Sequence, residues 1–348
     1  MAYTDIDKPS DYFNTSAVWS GDDSEHTISG IGHQPNFTWI KGVNIGTQHY
    51  LFDSVRGATK VIISNGTNAE FTVAQTLKSW NSDGFVLGTS DDVNGSGRTY
   101  VAWNWKAGTS FTNDASATGI GTIDSTGSVS TDAGFSIVSY TSTGSNGSIK
   151  HGLSTTPSMI IFKRRSGDTE NWVVYHKSLG ATKNIKLNLT DAVSTSSTRF
   201  NDTSPTSSVF TVGTSGDTNG GTSPFIAYCF AEKKGYSKFG SYTGNGNVSG
   251  PMIWTGFSPA FLMIKQTAAA NDWFMIDNKR EPFNPNNVQL VANGTSASTN
   301  KGDLDLLSNG FKPRSSNAAW NENNAQYIYM AFAENPFVTS SGVPACAR

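Results

Sequence analysis

The feature that most constrains this chain is an internal repeat, because a supersecondary unit that recurs must fold the same way each time. Three segments carry a proline followed six residues later by a lysine, with an apolar stretch between them. They are PNFTWIK from Pro35 to Lys41, PSMIIFK from Pro157 to Lys163, and PAFLMIK from Pro259 to Lys265. Each reads as a buried strand entered through proline and left through a charge.

Other markers recur in register. A second strand follows each entry strand as HYLFD (His49 to Asp53), NWVVYH (Asn171 to His176) and NDWFMID (Asn271 to Asp277). A phenylalanine then comes at Phe85, Phe210 and Phe311, before the closing strands YVAWNW, FIAYCFAE and YIYMAFAE. The loops SDDVNGSG and SGDTNGG hold Asn-Gly, whose ready positive φ predicts a hairpin.

Charged residues make up 15% of the chain, and 35 glycines accompany dense Ser, Thr and Asn, a balance that favours short strands joined by turns. The predicted fold is all-β, with three tandem β-sandwich (jelly-roll-like) domains of about 100 residues each. A three-lobed barrel with interlocked copies is the weaker alternative, since each copy is long enough for a core of its own.

The predicted boundaries are an N-terminal arm at 1–10, repeat 1 at 11–106, repeat 2 at 134–234, repeat 3 at 235–337 and a tail at 338–348. Residues 107–133, rich in Ser, Thr, Gly and Ala, read as a linker or extended arm. The short junction KKGYSK (Lys233 to Lys238) predicts that repeats 2 and 3 form a rigid pair. Repeat 1, with its degenerate opening strand, then reads as a separate attachment domain.

Lys plus Arg total 25 against 27 Asp plus Glu, so no field of one sign is present to gather nucleic acid or anionic lipid. The N-terminus lacks the apolar stretch of a Sec signal, and no apolar run is long enough to span a membrane. These features predict a soluble chain made in a cytoplasm.

The chemistry inventory is sparse. None of the five histidines stands in a HExxH or Cys/His pattern. Asp53, His176 and Asp277 occupy equivalent repeat positions, which marks them as a candidate polar site or as strand ends bonding their own loops. Asp91, Asp92, Asn94, Asp217 and Asn219 superficially resemble a calcium loop but lack its further glutamate, so turn chemistry is the better reading. No metal and no cofactor is predicted.

Trp39, Trp103, Trp172, Trp254 and Trp273 lie in strands and read as core. Trp80 and Trp320 sit among Asn, Ser, Asp and Glu and are the candidate surface-contact residues. Cys229, inside FIAYCF, reads as a small hydrophobe, and Cys346 as an exposed thiol.

The segments GFSIVSYTSTGSNG, HGLSTTPSMIIFKRR, WVVYHKSLG, FIAYCFAEKKGYSKFGSYTGNG, GFSPAFLMIKQT, LLSNGFKPR and YIYMAFAENPF resemble repeat-containing, tail-fibre-like virion proteins of marine tailed bacteriophages of the cyanophage type. The likeness runs from Tyr12 to Arg348. It implies a non-enzymatic virion component, with other tail or capsid proteins and host-surface glycan as partners and a trimeric or hexamer-related assembly. A tail fibre or receptor-binding protein is the leading expectation. A capsid decoration protein or head appendage is the alternative, and a glycan depolymerase a remote third.

Overall fold

The computed structural model describes residues 4–336 except Asp7 and Asp168. The C-terminal tail with Cys346 and the terminal SSGVPACAR therefore lie outside the described residues, as do residues 1–3 and 7 of the expected arm. The architecture is all-β.

The same five strands recur in the same order in each repeat's large sheet: opening, closing, entry, second and third. In repeat 1 these are Phe13–Thr15, Thr99–Trp105, Phe37–Gly42, His49–Asp53 and Lys60–Ile63. In repeat 2 they are Phe135–Thr141, Pro224–Phe230, Met159–Arg164, Val173–His176 and Lys183–Lys186. In repeat 3 they are Ser237–Thr243, Gln326–Pro336, Phe257–Gln266, Trp273–Asp277 and Asn286–Val291. Entry and second strands pair antiparallel, with Trp39 opposite Leu51, Ile161 opposite Val174 and Met263 opposite Met275. These pairs define structurally equivalent positions.

The entry strands are buried along their length because both faces are covered, which is why they read as continuous apolar runs rather than alternating ones. Smaller groups of strands cover the outer faces. They include His26–Ile28 with Gly84–Leu87 in repeat 1, Gly147–Lys150 with Val209–Val212 in repeat 2, and Ile253–Trp254 with Gly310–Pro313 in repeat 3. Each repeat thus holds an outer core, such as Ile40, Phe52 and Phe85 in repeat 1.

The inner faces pack against one another. One core draws Phe37, Trp39 and Trp103 from repeat 1, Ile137, Ile161 and Tyr228 from repeat 2, and Phe261, Met263 and Met330 from repeat 3. At its centre the equivalent closing-strand residues Trp105, Phe230 and Phe332 form a triangle. Their ring centroids are 6.2 Å apart for Trp105 and Phe230, 6.0 Å for Phe230 and Phe332, and 5.6 Å for Trp105 and Phe332. The repeats are lobes about a pseudo-threefold axis, and the expectation of self-contained cores is corrected. A hundred residues can supply an outer core, but the inner sheet face remains apolar and must be buried by its neighbours.

Two further expectations change. Residues 107–133 are not a linker: Thr109–Asn113 pairs with Ser125–Ser130, which pairs with Phe135–Thr141, so the tract adds two strands to the second lobe's sheet. A short helical turn, Ala115–Thr118, capped by Asp114, connects them. Nor is lobe 1 set apart from a pair formed by lobes 2 and 3, since its Phe37 stacks on Tyr228 at 4.4 Å and its Phe13 on Phe332 at 4.9 Å. Ile6, from the N-terminal arm, also enters the shared core.

Candidate functional site

The polar residues singled out by the repeat converge on the seams between lobes. Inner-facing side chains of the second strand come at alternate positions, and register makes His49, Trp172 and Trp273 equivalent. Trp172 Nε1 donates to the Ile63 carbonyl of lobe 1 at 2.8 Å, and Trp273 Nε1 donates to the Lys186 carbonyl of lobe 2 at 2.8 Å. His49 Nε2 lies 2.9 Å from the Val291 carbonyl of lobe 3. Ile63, Lys186 and Val291 are themselves equivalent, as their pairing with the second strands shows. Each lobe therefore reaches the preceding one, and the first reaches the third.

The lysines that close the entry strands repeat the pattern. Lys41 Nζ donates to Thr295 O at 3.2 Å, Lys163 Nζ to Thr67 O at 2.8 Å, and Lys265 Nζ to Thr190 O at 3.0 Å. All three lysines are buried, and burial lowers the pKa of each to about 8. The sequence signal for these clamps was present in the spacing from proline to lysine, but it reads there only as a strand end.

Asp53, His176 and Asp277 run in the opposite sense around the axis. Tyr228 of lobe 2 donates its hydroxyl to Asp53 Oδ2 at 2.7 Å, and Trp103 Nε1 of lobe 1 donates to Asp277 Oδ2 at 3.2 Å. His176 Nε2 lies 3.2 Å from the Tyr329 carbonyl of lobe 3. The same residues also hold their own loops: Asp53 Oδ1 accepts from the Val55 and Arg56 amides, and Asp277 Oδ1 from those of Lys279 and Arg280. His176 Nδ1 accepts from the Ser178 amide at 3.2 Å.

Arg56 and Arg280 neutralise the two aspartates through their Nε atoms. Where lobe 1 reads SVRGATK, lobe 2 reads SLGATK without an arginine, and a neutral histidine replaces the carboxylate. Burial lowers the His176 pKa to about 4. At the seam of lobes 1 and 2, Glu70 takes a bidentate pair from Arg165, at 3.0 and 3.1 Å, and also contacts Arg56 at 3.4 Å.

The residues that resembled a calcium loop are engaged in local chemistry. Asn94 and Asn219 are fully buried, as is Asn321 in lobe 3, and each pins the loop before its closing strand to neighbouring backbone carbonyls. Asp217 pairs with Arg199 at 2.8 Å and Asp91 with Arg98 at 3.0 Å. Among the described residues no group of three or more His, Cys, Asp or Glu is arranged to hold a metal ion.

The tryptophans need correction. Trp320 is fully buried against Phe274 and donates to the Lys301 carbonyl at 3.2 Å, because the Asn-rich loop around it folds inward onto the third lobe's outer core. Trp80 is half-buried, with its Nε1 on Thr38 Oγ1 at 3.1 Å. Trp254, by contrast, is 56% exposed. Register makes Ile253 equivalent to Ile149 and Ile28, so lobe 3 presents Met252 and Trp254 where lobe 2 has Ser148 and Lys150 and lobe 1 has Thr27 and Ser29. Val248 and Phe283, also exposed, belong to the same lobe. Only pairing register distinguishes this outward tryptophan from its buried counterparts.

A family model described as a domain of unknown function (DUF7483) matches residues 8–336. The chain belongs to the DUF7483 family. No curated protein and no solved structure matches it. The family match spans all three lobes, so the unit that DUF7483 describes is the whole three-lobed body. Cys229 packs in the second lobe's outer core of this DUF7483 protein, where burial pushes its thiol pKa up and leaves it in the inert neutral form.

Proposed function

We propose that this DUF7483 protein is a non-enzymatic structural component of a tailed-phage particle, either a tail fibre or a tail-associated protein that meets the host surface. The observation that carries the reading is the triangle of Trp105, Phe230 and Phe332, with the seams closed around it. The recurrent polar and titratable side chains serve to lock lobe to lobe, which suits a part that transmits load or presents surfaces. Each copy is read as a sandwich-like lobe, and three lobes in one chain reproduce the outline of a trimer.

The lobes are alike inside and different outside, and this supports an adhesive role in which lobe 3 carries the contact surface. Host-surface glycan is the proposed partner class, since exposed aromatic side chains stack on sugar rings in the way they stack on other flat apolar faces. Isolated protein should bind host envelopes, and Trp254→Ala with Phe283→Ala should weaken that binding without changing the fold. No binding by the native protein would overturn the adhesive reading.

A capsid decoration protein or head appendage is the second reading, favoured by the pseudo-threefold outline, which would match a threefold position of a shell. Copy number in purified particles separates the two. Tail parts follow small multiples set by the tail's symmetry, whereas decoration proteins follow the far larger count of shell subunits.

A further inference from the structure

We propose that the strand Thr109–Asn113 pairs edge to edge with the same strand of a second copy, joining two second-lobe sheets across a two-fold axis. This strand ends its sheet: Ser125–Ser130 lies on one side, with unbroken register from Thr109 opposite Val129 to Asn113 opposite Ser125. Among the described residues no strand pairs with its other side.

An open edge is a template for another strand, and proteins that must avoid such pairing shorten their edges, bulge them or place lysine on them. Among the other described edges, all but the four-residue Val209–Val212 are managed in these ways. Phe13–Thr15, Phe71–Thr72, Ser194–Thr195 and Ile253–Trp254 have only two or three residues. The longer edges Leu77–Asn81 and Ser237–Thr243 carry Lys78 and Lys238. Thr109–Asn113, with sequence TSFTN, has neither charge nor proline nor bulge. It is unique to lobe 2, since the tract that supplies it has no counterpart in the other lobes.

The strand is complementary to itself. Five residues laid antiparallel on five centre on Phe111, so Phe111 meets Phe111 and the exposed Ser110 meets the exposed Thr112. The central aromatic pair is of the kind that stabilises antiparallel neighbours, and hydroxyl opposite hydroxyl leaves no unpaired charge. Phe111 is held in place, since its ring covers Gly127, where an added Cβ would come within 2.6 Å of it. A two-fold axis makes such contacts isologous and closed, giving a dimer of two three-lobed bodies. The overlap is short, so the dimer forms at raised concentration rather than permanently. This inference stands apart from the phage reading.

Analytical ultracentrifugation across a concentration series tests it on the full chain. The native protein should move from the 37.2 kDa monomer toward twice that mass. Ser110→Lys with Thr112→Lys places like charges opposite each other and should leave monomer throughout. Ser110→Lys with Thr112→Glu places opposite charges there and should restore the dimer. Both side chains are exposed, so circular dichroism should show an unchanged fold. A native protein that stays monomeric overturns the proposal, as does a double-lysine variant that dimerises like the native chain. A lysine-glutamate variant that fails to dimerise overturns the register.

Discussion

Removing the Tyr228 hydroxyl tests whether the seams hold this protein together. In Tyr228→Phe the ring remains in its stack with Phe37, and only the 2.7 Å hydrogen bond to Asp53 is lost. Asp53 and Tyr228 are both essentially inaccessible to solvent, so no water replaces the donor. A hydrogen bond to a charged group is worth about 1.5–3 kcal/mol, and that is the expected loss of stability. Asp53→Ala should cost more, about 3–5 kcal/mol, because it leaves the buried Arg56 guanidinium without its main partner.

If the bond acts across the seam, the two changes are not additive, and the double variant should recover about 1.5–3 kcal/mol relative to the sum. Tyr140→Phe is the control, since its hydroxyl bonds Thr218 within lobe 2 at 2.5 Å and should add independently to Asp53→Ala. Stability would be read from guanidinium unfolding followed by both tryptophan fluorescence and circular dichroism. The shared core predicts that the two signals change together. A Tyr228→Phe loss below about 0.5 kcal/mol, additive behaviour in the cycle, or separate transitions for separate lobes would refute the argument.

Four further outcomes follow from the same geometry. His176 is held neutral with a pKa near 4, so the unfolded chain binds the extra proton between pH 6.5 and 4 and stability falls as pH drops through that window, by up to about 3 kcal/mol. His176→Gln keeps both hydrogen-bonding roles without the titration and should make the pH profile of the unfolding midpoint shallower without abolishing it, because burial also lowers the pKa of His33, His49 and His151. Trp320→Ala should cost about 3–5 kcal/mol as a core truncation, measured by denaturant unfolding, and should leave surface binding intact once the fold is restored by lower temperature. Gly310→Ala should destabilise, since its Cβ would sit 2.0 Å from the Ile253 carbonyl oxygen, and a lowered melting midpoint checks it. Residues 107–336, which keep both added strands of lobe 2, should bind a hydrophobic dye when expressed alone, because Phe37, Trp103 and Trp105 no longer cover the inner faces of lobes 2 and 3.

The sequence by itself determined that this protein is all-β and threefold repeated. The apolar entry strands and the paired second strands could be located from Pro35, Pro157 and Pro259 because period and punctuation are local properties of the chain. It also marked Asp53, His176 and Asp277 as equivalent, and their hold on the loops that follow them is a local matter too. What covers the inner face of Phe37, Met159 or Phe261 is decided by contacts more than a hundred residues away, and an apolar face looks the same whether its partner is its own lobe or the next. The Ser, Thr and Gly of residues 107–133 misled for a related reason: strands that extend an existing sheet take their hydrogen bonds from the neighbour and need little apolar patterning. Only the tertiary structure decided that Trp320 turns inward and Trp254 outward, since the loop around Trp320 folds onto the third lobe's outer core while a single step of strand register sets the face on which Trp254 lies.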